Sequence, residues 1–361
     1  MNIKSLLLGS AAALAAVSGA QAADAIVAAE PEPMEYVRVC DAFGTGYFYI
    51  PGTETCLKIG GYVRFQVDAG QDVNGLNDYD WDAWSRVHLN FTAKSDTELG
   101  TLTSVAAVRF EANQDSAYTT NGTGGPLAGT TLGNSGNSAY IDEAYIQLGG
   151  FKVGRYYNPW DKGINGESDW NSGTQNTRME SVGYFYTGSA FTAGIQVDEL
   201  SRLRGVGGQN VGLEGIVTAK FGAVSFDLLG AYDFGAEEGA VRALVSAPVG
   251  PGTLQALVIY STGLGDQNGD NAYANRGEWT LAASYAFKVG DKLTITPGGS
   301  YIWNAADGTA DYGSDEAWRA GLTVDYTIVP GFTAKVTANY NKVQTAADEF
   351  WDGFVRLDRS F

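Results

Sequence analysis

Leu57-Lys58-Ile59-Gly60-Gly61-Tyr62-Val63-Arg64-Phe65-Gln66-Val67-Asp68 alternates in character at every step. In an extended chain successive side chains point to opposite faces. Leu57, Ile59, Gly61, Val63, Phe65 and Val67 therefore share one face, and Lys58, Gly60, Tyr62, Arg64, Gln66 and Asp68 share the other. One face suits hydrocarbon and the other suits water. The same rhythm recurs as far as Phe361 in segments of about ten residues, the pattern of a closed transmembrane β-barrel.

Working outward, Ala83 to Lys94 turns Val87, Leu89 and Phe91 outward and Trp84, Arg86, His88, Asn90 and Lys94 inward. Thr101 to Glu111 turns Leu102, Ala106, Val108 and Phe110 outward, with Arg109 and Glu111 inward. Ala139 to Leu148 and Phe151 to Tyr156 are joined only by Gly149 and Gly150, a pair suited to a two-residue hairpin. Further strands are predicted over 181–187, 191–198, 211–221, 223–233, 240–247, 253–261, 278–287, 293–303, 316–326, 332–341 and 352–361. The total is sixteen, an even number, as bacterial single-chain barrels have. Short connections centred on Asp96, Gly149, Gly188, Gly222, Gly252, Gly290 and Pro330 alternate with mostly longer ones. Short turns belong to the periplasmic rim and long loops to the outside. Aromatics such as Tyr232, Tyr260, Tyr285, Tyr301, Trp303, Tyr326 and Tyr340 fall near strand ends, where amphipathic rings meet lipid headgroups. Pro297 cannot donate to a strand ladder, and with Gly298 and Gly299 it predicts a bulge.

Residues 1–22 read as an export signal: Lys4, an apolar run from Leu6 to Val17, then Ala20-Gln21-Ala22. Residues 23–56 form a leader with a cysteine-bounded segment, and residues 57–361 the barrel. The formal charge is -18, which argues against a nucleic-acid partner. Cys40 and Cys56 are the only cysteines, and on the exported side of a signal they are expected to bridge. Two buried thiols are the alternative. Zinc is disfavoured, because four ligands are wanted and His88 is the single histidine. A Ser-His-Asp enzyme would also need that histidine, yet it lies on a water-facing strand position between Arg86 and Asn90. No cofactor or metal site is indicated.

The chain resembles the porins of alphaproteobacteria, the family that includes the major outer-membrane porins of Brucella and rhizobia. The resemblance runs the full length. It is most specific in Tyr36-Val-Arg-Val-Cys-Asp-Ala-Phe-Gly-Thr-Gly-Tyr-Phe-Tyr-Ile-Pro-Gly-Thr-Glu-Thr-Cys56, in Gly61-Tyr62-Val63-Arg64 and in Val355-Arg-Leu-Asp-Arg-Ser-Phe361. It implies a trimeric sixteen-stranded barrel in the bacterial outer membrane, among lipid and lipopolysaccharide, that lets small hydrophilic solutes and ions diffuse through. Phe361 is similar to the terminal aromatic that the outer-membrane assembly machinery reads, although Arg359 departs from the apolar residue common two places earlier.

In general porins the third long loop folds inward and narrows the pore. Here it follows Gly150-Phe-Lys-Val-Gly-Arg155 and begins at Tyr157. Asp161, Glu167 and Asp169 are its candidate acidic groups. Arg64, Arg86 and Arg109, inward by period-two counting, are the candidate basic groups opposite, charged at any relevant pH. Lys58, Arg242, Arg319, Lys335 and Arg356 also count inward, with Glu143, Glu214, Asp227, Glu278 and Asp325 available to balance them. Trp160 and Trp170 could begin an aromatic track in a solute-specific channel, one rival reading. The other is a structural or adhesive barrel with a plugged lumen. Acid in the outer loops, at Asp72, Asp78, Asp80, Asp82, Asp266, Asp270, Asp307, Asp311 and Asp315, predicts a mild cation preference.

Overall fold

Backbone polar groups in hydrocarbon must find partners within the protein, so a strand-built membrane protein has to close on itself. The computed structural model does so. It describes residues 37–71, 81–113, 137–169, 177–201, 210–263, 271–273, 277–306, 312–342 and 349–361. The signal expected over residues 1–22 and the first part of the leader, residues 23–36, lie outside the described residues.

A two-residue strand β1 (Phe48–Tyr49) precedes the barrel strands. These are β2 (Cys56–Gly70), β3 (Trp81–Thr97), β4 (Gly100–Asn113), β5 (Asn137–Leu148), β6 (Phe151–Tyr157), β7 (Arg178–Thr187), β8 (Phe191–Glu199) and β9 (Val211–Phe221). They continue with β10 (Val224–Asp233), β11 (Glu238–Val249), β12 (Gly252–Ser261), β13 (Gly277–Val289), β14 (Leu293–Ala306), β15 (Tyr312–Val329), β16 (Phe332–Lys342) and β17 (Phe350–Ser360). All sixteen barrel strands were legible from alternation; the structure lengthens most by a few residues at their ends. Each pairs antiparallel with its neighbours in sequence, and β17 pairs with β2 to close the sheet. The closing seam extends to the last residue: Phe361 N–H donates to Gly61 O at 3.1 Å, and Gly61 N–H to Phe361 O at 3.2 Å.

The two faces sort as alternation demands. Val63, Phe65, Phe110, Leu228, Val241, Leu281 and Val355 are exposed on the outside. Their neighbours Gln66, Glu111, Leu229, Arg242, Ala282 and Ser300 are buried on the inside. At the long-loop end, aromatic pairs Tyr232–Phe234, Tyr260–Trp279, Tyr301–Trp303 and Trp318–Tyr340 form a band across β10 to β16. Tyr285–Phe287 and Tyr186–Phe191 do the same at the short-turn end.

Pro297 makes no bulge. Its strand keeps one register with β15 through Pro297↔Leu322, and the same register with β13 on either side of Thr296 and Pro297. The missing N–H is accommodated by a local gap in the β13 ladder. Register shifts occur instead between Ala107 and Val108 against β5, near Ile302 to Ala306, and at Thr327 to Val329.

Candidate functional site

The described part of the third long connection, residues 158–169, lies against the inner wall. It starts with an Asn158 side chain that caps the short 3-10 turn Pro159–Asp161 by accepting from Trp160 N–H at 3.2 Å. The Asn158 amide donates to Glu214 on β9 at 2.9 Å. Trp160 is fully buried, packed with Ile164 against Leu229, Leu244, Leu257 and Ile259 from the inner faces of β10, β11 and β12. Tyr273, from the connection between β12 and β13, stacks on Trp160 with ring centroids 6.5 Å apart and donates to Asp198 at 2.6 Å. Arg242 grips the turn from below, donating to Trp160 O at 2.9 Å and Pro159 O at 2.7 Å. A patch of inward leucines in an aqueous lumen is therefore covered by the loop rather than wetted.

Beyond the turn the loop follows the wall around. Lys162 pairs with Asp227 on β10. Asn165 N–H donates to Gln255 on β12 at 2.5 Å, and Glu167 N–H to Thr323 Oγ1 on β15 at 2.9 Å. Gly298 is required here: a Cβ would fall 2.1 Å from the hydroxyl of buried Ser168. The Glu167 carboxylate then accepts from Lys335 on β16 at 2.8 Å and from Arg356 on β17 at 3.5 Å. Asp169 accepts from Ile164 N–H at 3.4 Å. Burial, reinforced by the Glu167 charge and opposed by Arg319, pushes the Asp169 carboxyl up to about 6. Asp161 is exposed, bonded to Thr177 and within the field of Arg178 and Arg109.

The candidate basic groups lie on β2, β3 and β4, and each has a carboxylate partner on the barrel wall. Arg64 holds Asp358 with two hydrogen bonds, at 2.7 and 3.1 Å. Arg86 donates to Glu111 at 2.5 Å. Arg109 pairs with Asp142 at 2.9 Å and donates to Tyr157 at 2.6 Å. Arg319 extends the pattern on β15, donating to Asp352 at 2.5 Å. Many of these cations also lie over rings: Arg64 over Tyr62 at 4.8 Å, Arg86 over Trp84 at 4.7 Å, Arg356 over Phe354 at 4.2 Å.

The structure thus brings Glu167 to Lys335 and Arg356, Asp169 to the vicinity of Arg319, and Asp161 to the vicinity of Arg109. Among the described residues no ion pair joins the three loop carboxylates to Arg64, Arg86 or Arg109. Trp160 points into the apolar patch and is buried there, and Trp170 lies outside the described residues. So do Asp72, Asp78, Asp80, Asp266, Asp270, Asp307 and Asp311. Counting missed two groups. Arg178 opens β7 and pairs with Asp142. Asp142 occupies the bulge on β5, where Ala107 faces Glu143 and Val108 faces Ile141, so that it turns inward beside Glu143. The signal was available: two adjacent acids within a spanning strand cannot alternate without placing one in lipid.

At the short-turn end, Cys40 and Cys56 are joined by a disulfide and both are buried. The segment between them folds back so that the Tyr47 ring sits under Lys58 and Lys94, at 5.8 and 5.7 Å.

A family profile described as Porin subfamily matches residues 24–353. The chain is 51% identical over 373 residues to an outer membrane protein designated y4fJ from Sinorhizobium fredii, covering 100% of this chain and 99% of the relative. It is 37% identical over 390 residues to porin Omp2b of Brucella suis, covering 100% of each. Among solved structures, the outer membrane channel DcaP of Acinetobacter baumannii aligns with TM-score 0.61 at 16% identity, over 87% of this chain and 99% of that one. In-vitro folded OmpT of Vibrio cholerae, in its trimer form, aligns with TM-score 0.58 at 12% identity, over 86% and 100%. These two share the fold.

Proposed function

The chain belongs to the porin subfamily, and from that premise we propose that this outer-membrane channel is a general diffusion pore whose third loop and lumen arginines form a charged constriction. The observation that carries the reading is the path of residues 158–169, which touch the inner wall from Glu214 on β9 round to Arg356 on β17. A loop laid along the wall narrows a lumen without filling it. Its carboxylates, Glu167 paired with Lys335 and Arg356, and the arginines of β2 to β4 then border the remaining water, where low-dielectric walls strengthen their field. Small dipolar solutes orient in that field, whereas apolar ones must displace ordered water. The burial of Trp160 removes one ring from any aromatic track, which supports general over solute-specific transport. Short turns face the periplasm on this reading, Phe361 is the assembly signal, and the native state is a homotrimer, in keeping with the family resemblance.

Purified protein in planar bilayers tests the proposal, with solute-size exclusion measured in liposome swelling. A general pore gives ohmic steps in groups of three and permeation that falls smoothly with solute size. Saturable block by one solute would establish a specific channel instead, and electrical silence would establish a structural barrel.

A further inference from the structure

We propose that Asp142 is the residue that sets the ion selectivity of this pore. The inference rests on the pore reading above and adds to it a determinant that lies on a barrel strand, outside the third loop. Asp142 is 1% exposed, yet two guanidinium groups and an imidazole from three strands converge on its carboxylate. Arg109 on β4 lies at 2.9 Å, Arg178 on β7 is in direct contact, and His88 Nε2 on β3 lies at 3.2 Å. The Tyr157 hydroxyl at the root of the third loop donates to it at 3.1 Å while accepting from Arg109 at 2.6 Å. Among the described residues, Asp142 is the one carboxylate within ion-pairing distance of either guanidinium.

The bulge makes this possible. A regular strand carrying Glu143 inward would hold Asp142 out in lipid, where it could neutralise nothing. With one extra residue opposite the Ala107–Val108 step, Asp142 and Glu143 both face the lumen. Neighbouring charges are already committed: Arg86 is held by Glu111, which also accepts from Tyr140 at 3.0 Å. Glu143 accepts from Tyr157 N–H at 3.5 Å and lies in the field of Lys152 on β6. Loss of the Asp142 charge therefore removes the carboxylate in direct contact with Arg109 and Arg178 and leaves net guanidinium charge on the wall beside the loop root, with Asp161 of the loop in their field but not paired to them.

The size of the effect follows from Coulomb's law. A unit charge about 7 Å from a passing ion in water changes its energy by about RT, with opposite sign for cation and anion. The cation-to-anion permeability ratio should fall roughly sevenfold at low salt and roughly threefold near 0.1 M, where screening halves the interaction.

The test is the reversal potential of the purified full-length protein in planar bilayers under a salt gradient. Asp142→Asn, nearly isosteric, is expected to shift selectivity toward anions by that factor, and Asp142→Glu to stay near wild type. Arg178→Gln added to Asp142→Asn should restore the wild-type ratio, since it removes the cation that was uncovered. Should Asp142→Asn fail to assemble, Arg178→Gln alone carries the test with an opposite shift, toward cations. A conducting Asp142→Asn channel with an unmoved ratio overturns the proposal, even if its conductance or noise changes. So does an unmoved ratio in Arg178→Gln. A silent wild type would instead defeat the pore reading itself.

Discussion

Replacing Trp160 by Ala should release the third loop while leaving the barrel intact. Trp160 is fully buried between the loop and inward leucines of β10 to β12, and its side chain makes no contribution to any strand ladder. A tryptophan buries about 150–250 Å², worth about 4–6 kcal/mol at about 25 cal/mol per Å², and large-to-small core substitutions of aromatics cost about 3–5 kcal/mol. About 4 kcal/mol of loop docking is therefore lost. The Arg242 bonds reach backbone oxygens of Pro159 and Trp160 and survive the substitution, as does the Asn158–Glu214 bond. Net values of about 1 kcal/mol each keep the loop partly engaged. At about 1.4 kcal/mol per tenfold, the undocked population rises several-hundredfold. Single-channel recording should then show excess open-state noise and a shifted mean conductance, while thermal unfolding of the barrel stays near wild type. Wild-type noise and conductance in a folded Trp160→Ala channel would refute the reasoning, and so would loss of the barrel itself.

Gly298→Val should reproduce that phenotype from the wall side, because its Cβ would displace buried Ser168; a quiet channel would show that the loop does not sit there. Asp169, raised to about 6 by burial, keeps its proton in the docked loop between about pH 4 and 6, where a freed aspartate would lose it. Loop docking should thus be tightest below about pH 4 and weaken as pH rises through 6, and cation preference should drop as pH falls through 6. Asp169→Asn should abolish that step in reversal potential, and its persistence would assign the titration elsewhere. Opening the Cys40–Cys56 bridge by Cys40→Ser should cost the intervening segment about 3 kcal/mol, the entropy of a loop of about 15 residues. Faster amide exchange over residues 40–55 with an unchanged barrel is the expected result, and slow exchange there would contradict it.

The barrel was legible because period-two alternation is a consequence of backbone geometry and lipid tolerates no unpaired strand. Even Leu57 to Asp68 alone assigned Val63 outward and Arg64 inward, as found. Pro297 misled, since a proline can stay in register when only two ladder positions, at Thr296 and Pro297, are lost on one side. The site was harder to read. Counting identified Arg64, Arg86 and Arg109 as inward but could not pair Arg64 with Asp358, nearly three hundred positions away, across the closing seam. Trp160 reads as a solute-facing ring until the inward leucines beneath it are known. Asp142 was lost to a bulge, which shifts the phase of alternation without changing composition.

The sidedness of the wall is most directly measured with single thiols introduced at Val63 and Arg64, adjacent residues of β2 that the structure turns to opposite faces. Water-soluble methanethiosulfonate should label Arg64→Cys rapidly and change the current through an open channel, and should leave Val63→Cys unmodified in the bilayer. Rapid labelling at Val63 with protection at Arg64 would turn the barrel inside out and contradict the account.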